Sequence, residues 1–227
     1  DRSELFPSIC RIAVELGGMK MAWVGMLDPL TGLVAPVASY GGGSEFLEGI
    51  VVSCDAQLVH GRGATGTCIR ERRHVWIEDF QNDPMTAPWH DLGRGAGWAA
   101  SCALPLEVDG AVVGAFMLYS GEQGAFDDVQ RELLTEMAAD ISFALVNFAR
   151  EEARQLAESK LSRLTQIYSA LSECNQAIVR CNSEEELFPQ ICRFAVQYGG
   201  MKMAWIGLLD NGTRCIAPVA SFGDGTD

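Results

Sequence analysis

Apolar residues at Leu5, Ile9, Ile12, Ala13 and Leu16 share one face at helical spacing, which predicts an amphipathic opening helix. Gly17-Gly18 stops it, because glycine readily takes the left-handed conformation that closes a last helical turn. Two β-rich runs follow, Met21–Leu27 and Leu33–Tyr40. The Asp-Pro-Leu-Thr-Gly between them is turn chemistry for a hairpin-like connection. Next come a short helix near Glu45–Gly49, a helix start at Gly61-Arg-Gly-Ala-Thr-Gly-Thr, a strand at His74–Glu78 and a long polar loop from Asp79 to Trp98. A strong hairpin then pairs Ala100–Val108 with Ala111–Tyr119 through Asp109-Gly110, a two-residue turn that tolerates positive φ. Helix, two strands, helical crossings, three strands and a helix predict an α+β domain: one mainly antiparallel central sheet flanked by helices.

From Asp127 to Arg180 there is neither proline nor glycine, so the spacing predicts nearly continuous helix. Such a helix would run roughly 80 Å at about 1.5 Å per residue, longer than one small domain can cover. Leu134, Ile141 and Phe148 recur every seventh residue, and Leu161, Leu164, Tyr168, Leu171, Asn175 and Ile178 repeat the 3-4 spacing of a coiled-coil seam. The two series are out of register, with the mismatch in the charged stretch Arg150–Glu158, where a skip alters the supercoil or lets the helix bend. Two readings stay open: a helix packing back on its own domain, and a parallel two-chain seam with Asn175 setting register.

An internal repeat organises the chain. Glu-Leu-Phe-Pro-Ser-Ile-Cys-Arg from Glu4 returns as Glu-Leu-Phe-Pro-Gln-Ile-Cys-Arg from Glu186, and the offset of 182 persists through Gly17–Trp23 against Gly199–Trp205 and Ala35–Ser39 against Ala217–Ser221. A period this long means tandem domains of one type rather than a solenoid. The organisation expected is a complete domain over 1–148, a coiled-coil-like helical linker over 149–182 and a truncated second copy over 183–227. Without the rest of its sheet that second copy is expected to fold poorly or to lean on a neighbour. The start at Asp1, with no initiator methionine or signal-peptide pattern, reads as a piece of a longer polypeptide.

Thirty acidic against 17 basic residues give a net charge of −13. That charge disfavours nucleic acid and anionic membrane surfaces as partners, since both repel the chain before specific contact. No apolar run approaches the ~20 residues of a membrane span. The eight cysteines are scattered without a CxxC pair, and most sit among apolar neighbours, as reduced small hydrophobes do. This points to a reducing, cytoplasmic setting. His60, His74 and His90 lack a second ligand at metal spacing, and no nucleophile elbow is present. Neither a metal site nor a catalytic residue is expected.

At this point the residues resemble a GAF domain. The resemblance rests on Gly-Met-Lys-Met-Ala-Trp-Val-Gly, His60-Gly-Arg-Gly-Ala-Thr-Gly, Val75-Trp-Ile-Glu-Asp-Phe-Gln-Asn-Asp-Pro, the Leu-Pro-Leu…Asp-Gly…Val-Gly-Ala-Phe hairpin and Phe126-Asp127. It is similar in particular to GAF domains upstream of GGDEF and EAL output domains in cyclic-di-GMP enzymes. The resemblance implies a six-stranded or similar sheet, with helices on one face and a ligand pocket on the other, roofed by the loop before the late hairpin. It implies a sensory module that passes the state of an unidentified small-molecule ligand through a dimeric linker helix to an output domain of the same chain. The alternatives are a structural dimerisation module with no exchangeable ligand and a methionine sulfoxide reductase of the GAF type. Covalent bilin attachment finds no Cys-His in the pocket loop, and no cofactor is identified.

The candidate ligand-binding residues are Trp23, Asp79, Trp89, His90, Trp98 and Cys102. Trp23, Trp89 and Trp98 suit either a wall that stacks on a planar ligand or ordinary core. Asp79 and Asp83 serve either as ligand acceptors or as turn caps, and His90 either faces the pocket or lies on the surface. Gly61–Gly66 reads as an anion cradle at a helix N-terminus or as a structural turn.

Overall fold

The computed structural model describes residues 2–47 and 49–225, without the side chains of Arg2, Ser3, Ala177 and Ile178. Asp1, Glu48, Thr226 and Asp227 lie outside the described residues, as does the side chain of the expected seam position Ile178. The chain divides into two compact units, Asp1–Glu151 and Glu152–Asp227.

In the first unit the elements run α1 (Arg2–Glu15), β1 (Met21–Leu27), β2 (Leu33–Gly41), β3 (Val52–Ser53), α2 (Ala64–Glu71), β4 (Val75–Ile77), α3 (His90–Ala96), β5 (Ala100–Val108) and β6 (Ala111–Ser120). Helix α4 (Asp128–Arg180) begins in this unit. The six strands form one sheet in the order β3-β2-β1-β6-β5-β4, and every pair is antiparallel. The turn signals act as read: Gly18 takes φ 70° after α1, and Asp109 and Gly110 take φ 50° and 76° in the β5–β6 turn.

Strand alternation gives the sheet two buried faces. On one, Ala22, Val24, Cys102, Leu104, Leu106, Phe116 and Leu118 pack against Phe6, Cys10 and Ala13 of α1 and Leu134, Ala138, Ile141 and Leu145 of α4. On the other, Met21, Trp23, Ala103, Ala115, Met117 and Tyr119 meet α2 and the segment after β4. This is the α+β arrangement the patterning predicts.

Three expectations need correction. Leu134 and Ile141, read as the start of a two-chain seam, are each 3% exposed and belong to their own domain's core. The heptad spacing there arises because one helix stripe meets the sheet, which period alone cannot separate from a coiled-coil seam. Secondly, the Asp79–Trp98 stretch is not a loop throughout. It holds a 3₁₀ turn at Pro84–Trp89 followed by α3. Pro84, Pro88, Gly93 and Gly95 hide it in sequence, and tertiary contacts hold it: a Cβ on Gly93 would sit 2.5 Å from the Phe80 ring. Finally, the short helix near residue 45 is a 3₁₀ turn, Ser44–Leu47.

The second unit contains the end of α4, then α5 (Glu184–Gln197), β7 (Met203–Leu209) and β8 (Ile216–Gly223). β7 and β8 form a two-stranded sheet whose register copies that of β1 and β2, including the irregularity between Ile206 and Gly207 that matches the one between Val24 and Gly25. Met203, Trp205, Leu208, Leu209, Ile216 and Phe222 are exposed. Local structure is therefore repeated while burial is not.

Candidate functional site

A cavity of about 40 Å³ lies on the sheet face away from α1 and α4. Its floor comes from three neighbouring strands: Trp23 of β1, Met117 and Tyr119 of β6 and Ser101 of β5. These meet because Trp23 pairs with Met117 and Ser101 with Tyr119. The N-terminus of α2 closes one side with Gly63, Ala64, Thr65 and Gly66, and Phe80, Trp89 and Trp98 supply aromatic wall. Trp98 stacks on Tyr119 at 4.1 Å between centroids, and Phe80 meets both edge-on at 5.8 and 5.9 Å.

The glycines of Gly61–Gly66 are here for close backbone approach. A Cβ on Gly66 would lie 2.4 Å from both the Gly61 and the Ser53 carbonyl oxygens, and one on Gly61 would lie 1.9 Å from that of Asp55. That packing brings the first turn of α2 to the cavity. Gly63 is the N-cap and offers no side chain, so the N-cap supplies no side-chain acceptor to the leading N–H groups of the helix.

Among the described residues the side chains that line the cavity include no Asp, Glu, Lys or Arg, and the exposed His60 is one of them. Trp23 Nε1 donates to the Tyr119 hydroxyl over 3.4 Å, and Thr65 Oγ1 donates to Met117 Sδ at 3.2 Å. Among the described residues Trp98 Nε1 and Ser101 Oγ have no hydrogen-bond partner, at 2% and 1% residue exposure. Burial pushes the Tyr119 hydroxyl up to about 12, so it stays protonated near neutrality and keeps a proton to donate.

Of the six candidate residues, Trp23, Trp89 and Trp98 line the cavity, whereas Asp79, His90 and Cys102 do not. Asp79 caps a turn: its backbone carbonyl accepts from Asp83 N at 3.0 Å, and its Oδ2 accepts from Asn82 Nδ2 at 2.7 Å. That side-chain bond from Asn82 holds its carboxyl below the usual carboxylate range. His90 Nε2 lies 3.2 Å from the Asp83 carbonyl oxygen and 3.3 Å from Thr86 Oγ1, so it ties the 3₁₀ turn to α3. Cys102 alternates with Ser101 along β5 and therefore faces α1 and α4. Burial there pushes its thiol well above the ordinary value.

Ser101, Tyr119 and Phe80 were missed. Ser101 carried a legible signal, a hydroxyl inside the apolar run Ala-Ala-Ser-Cys-Ala-Leu, where a buried strand position normally holds an apolar side chain. Among the described residues no group of three or more His, Cys, Asp or Glu side chains could hold a metal ion, and no helix is long and apolar enough to cross a membrane.

The cavity is continuous along the chain with a clamp on α4. One residue before the turn that carries Phe80, Glu78 Oε1 accepts from Arg131 at 2.5 Å. Arg131 Nε also donates to the Phe126 carbonyl at 2.8 Å, and its guanidinium lies 5.4 Å from the centroid of the Trp76 ring.

A family model described as a GAF domain matches residues 1–146. No curated protein matches the chain by sequence. Among solved structures, the GAF domain of a phosphoenolpyruvate-protein phosphotransferase from Coxiella burnetii is 13% identical, covering 66% of this chain and 86% of that one with a TM-score of 0.56. The second GAF domain of DevS from Mycobacterium smegmatis is 20% identical over 68% of this chain and 99% of that one, TM-score 0.51. A free methionine-R-sulfoxide reductase from Neisseria meningitidis is 16% identical over 66% and 81%, TM-score 0.53. At such identities the structural likeness speaks for the fold and leaves the chemistry to the site. GAF domains are generally regulatory modules that bind small molecules. With the family model spanning more than half of the chain and the sheet, the flanking helices and the cavity all in place, the chain belongs to the GAF domain family.

Proposed function

We propose that this chain is the sensory part of a cytoplasmic signalling protein and that the cavity beside α2 takes a small-molecule ligand. The observation that carries this is that Trp98 and Ser101 line the cavity while Trp98 Nε1 and Ser101 Oγ are buried without a hydrogen-bond partner among the described residues. A buried polar group without a partner is unfavourable by about 1–3 kcal/mol, and a ligand acceptor removes that penalty. Of the residues singled out from sequence, Trp23, Trp89 and Trp98 are the ones assigned to binding.

Ligand state passes to α4 through Phe80, Glu78 and Arg131, and from there along the helix. A parallel dimer seam at Leu161, Leu164, Tyr168 and Leu171 carries it onward, since these residues are 68, 52, 65 and 55% exposed at 3-4 spacing. Phe148, half-buried on α4, is the last of the upstream series. The domain plan behind this is a GAF domain over 1–148, a linker over 149–182 and the beginning of a second copy over 183–227. The output proposed for the whole protein is cyclic-di-GMP turnover by a domain further along the same chain.

The role assigned is regulatory rather than enzymatic. A sulfoxide reductase needs an accessible thiolate, and no described cysteine lines the cavity. Cys102 and Cys68 are buried, with the Cys68 thiol pushed up to about 12. The small cavity volume favours one competing reading, a structural module whose pocket its own aromatic side chains fill. Thermal-shift and native mass spectrometry screens of the freshly purified chain separate the two. A specific ligand at 100 times its Kd stabilises by about 2.7 kcal/mol. No stabilising or co-purifying compound among nucleotides, haem and small acids would overturn the sensory reading.

A further inference from the structure

The chemistry of the cavity restricts what can enter it. Trp98, Ser101 and Tyr119 line it: Trp98 Nε1 donates only, the Tyr119 hydroxyl keeps its proton while accepting from Trp23, and the Ser101 hydroxyl can donate as well as accept. The helix adds more. The N–H groups of Ala64, Thr65 and Gly66 open α2 without an intrahelical carbonyl, and among the described residues none of them donates to another acceptor. They carry the positive end of the helix dipole to the same wall. Among the described residues no Asp or Glu side chain lines the cavity. Its 40 Å³ amounts to roughly three to four water-sized occupants at about 10–15 Å³ each, which matches a molecule of about three to four heavy atoms. Trp98, stacked on Tyr119, and Trp23 are among its walls, and aromatic faces pack against planar groups.

We propose that the cavity binds a small planar oxyanion of the carboxylate class, its oxygens held by Trp98 Nε1, Ser101 Oγ and the first-turn N–H groups of α2. This rests on the reading of the cavity as a ligand site and names the ligand's chemistry. Charge decides it: a hydrogen bond to an ionised acceptor is roughly twice as strong as a neutral one, and the helix end rewards negative charge alone.

The test uses the whole chain and three small probes: acetate, the isosteric neutral acetamide, and benzene as an apolar filler. Binding is followed by tryptophan fluorescence, with sodium chloride holding ionic strength constant. Acetate should bind saturably and at least about tenfold more tightly than acetamide. Ser101→Ala should weaken acetate about tenfold, the effect of losing one hydrogen bond to a charged group. Trp98→Phe, which keeps the aromatic wall, should do the same. Ser101→Ala introduces no bulk, so it serves if Trp98→Phe melts early. Acetamide or benzene binding as tightly as acetate, or acetate binding unchanged in Ser101→Ala, overturns the oxyanion while leaving the cavity a ligand site. If none of the three binds and the metabolite screen is also empty, both readings fall.

Discussion

Arg131→Met tests whether the clamp between β4 and α4 is a structural joint. The substitution keeps the helix and most of the side-chain volume but removes three interactions. The ion pair with Glu78 is about 40% exposed on both sides, so solvent screening limits it to about 0.5–1 kcal/mol. The hydrogen bond to the Phe126 carbonyl is worth about 1 kcal/mol, and the guanidinium beside Trp76 about 0.5–1 kcal/mol. The loss should total about 2–3 kcal/mol. A domain of this size loses roughly 2–4 °C of Tm per kcal/mol, so circular dichroism melts should show a drop of about 5–10 °C. Arg131→Lys keeps charge without the fork that serves two acceptors and should fall in between. Amide exchange should accelerate in the first turns of α4, where Asp127 Oδ1 accepts from Gln130 N at 2.8 Å. A Tm within about 1 °C of wild type, with unchanged exchange, would refute the clamp and the route from cavity to helix with it.

Burial raises Tyr119 to about 12 from an unfolded value near 10, so the native state binds that proton more tightly. Its contribution is complete below pH 10 and is lost as pH rises through 12, at most about 2.7 kcal/mol for two pH units. Cys10 and Cys68, also pushed up to about 12, act in the same direction from about pH 9. Urea midpoints should fall between pH 9 and 11, less steeply in Tyr119→Phe; a flat profile contradicts the burial argument. Gly66→Ala should destabilise by about 1–3 kcal/mol through overpacking against two carbonyls. Gly95→Ala, with nothing within 4 Å of the added Cβ, should be neutral or stabilising by up to about 1 kcal/mol, and equal urea midpoints for the pair would refute the close-approach account. In sedimentation equilibrium, Leu164→Asp with Leu171→Asp should halve the mass, and an unchanged mass rules out the proposed seam.

How much could be read in advance depended on how far the determining contacts lie along the chain. The β5–β6 hairpin was legible because Asp109-Gly110 and the flanking alternation are local. The same alternation contained the assignment of Cys102 to the helix face, since it follows Ser101 by one residue; the pocket role given to it came from resemblance. Helix α3 was illegible because Gly93 is dictated by the Phe80 ring thirteen residues earlier. Tyr119 became a site residue only through its register with Ser101 and Met21. Leu134 and Ile141 show the limit of periodicity, which finds an apolar stripe without naming the surface that covers it.

The repeat turns that limit into a controlled comparison. Trp23 and Trp205 sit in the identical heptapeptide Gly-Gly-Met-Lys-Met-Ala-Trp and in strands of matching register, yet they are 1% and 53% exposed. Strand geometry is therefore encoded within some forty residues. Burial of Trp23 comes from much further along the chain, from Met117 beside it and from Tyr119, whose hydroxyl its indole reaches. Variants retaining only one of these tryptophans should report the difference directly. Iodide should quench Trp205 strongly and red-shifted, and Trp23 weakly and blue-shifted, because quenching needs collision with the ring. Comparable quenching constants would mean either that Trp23 is not covered or that the second copy finds a cover of its own, and would break the argument that β6 is what separates the two halves of the repeat.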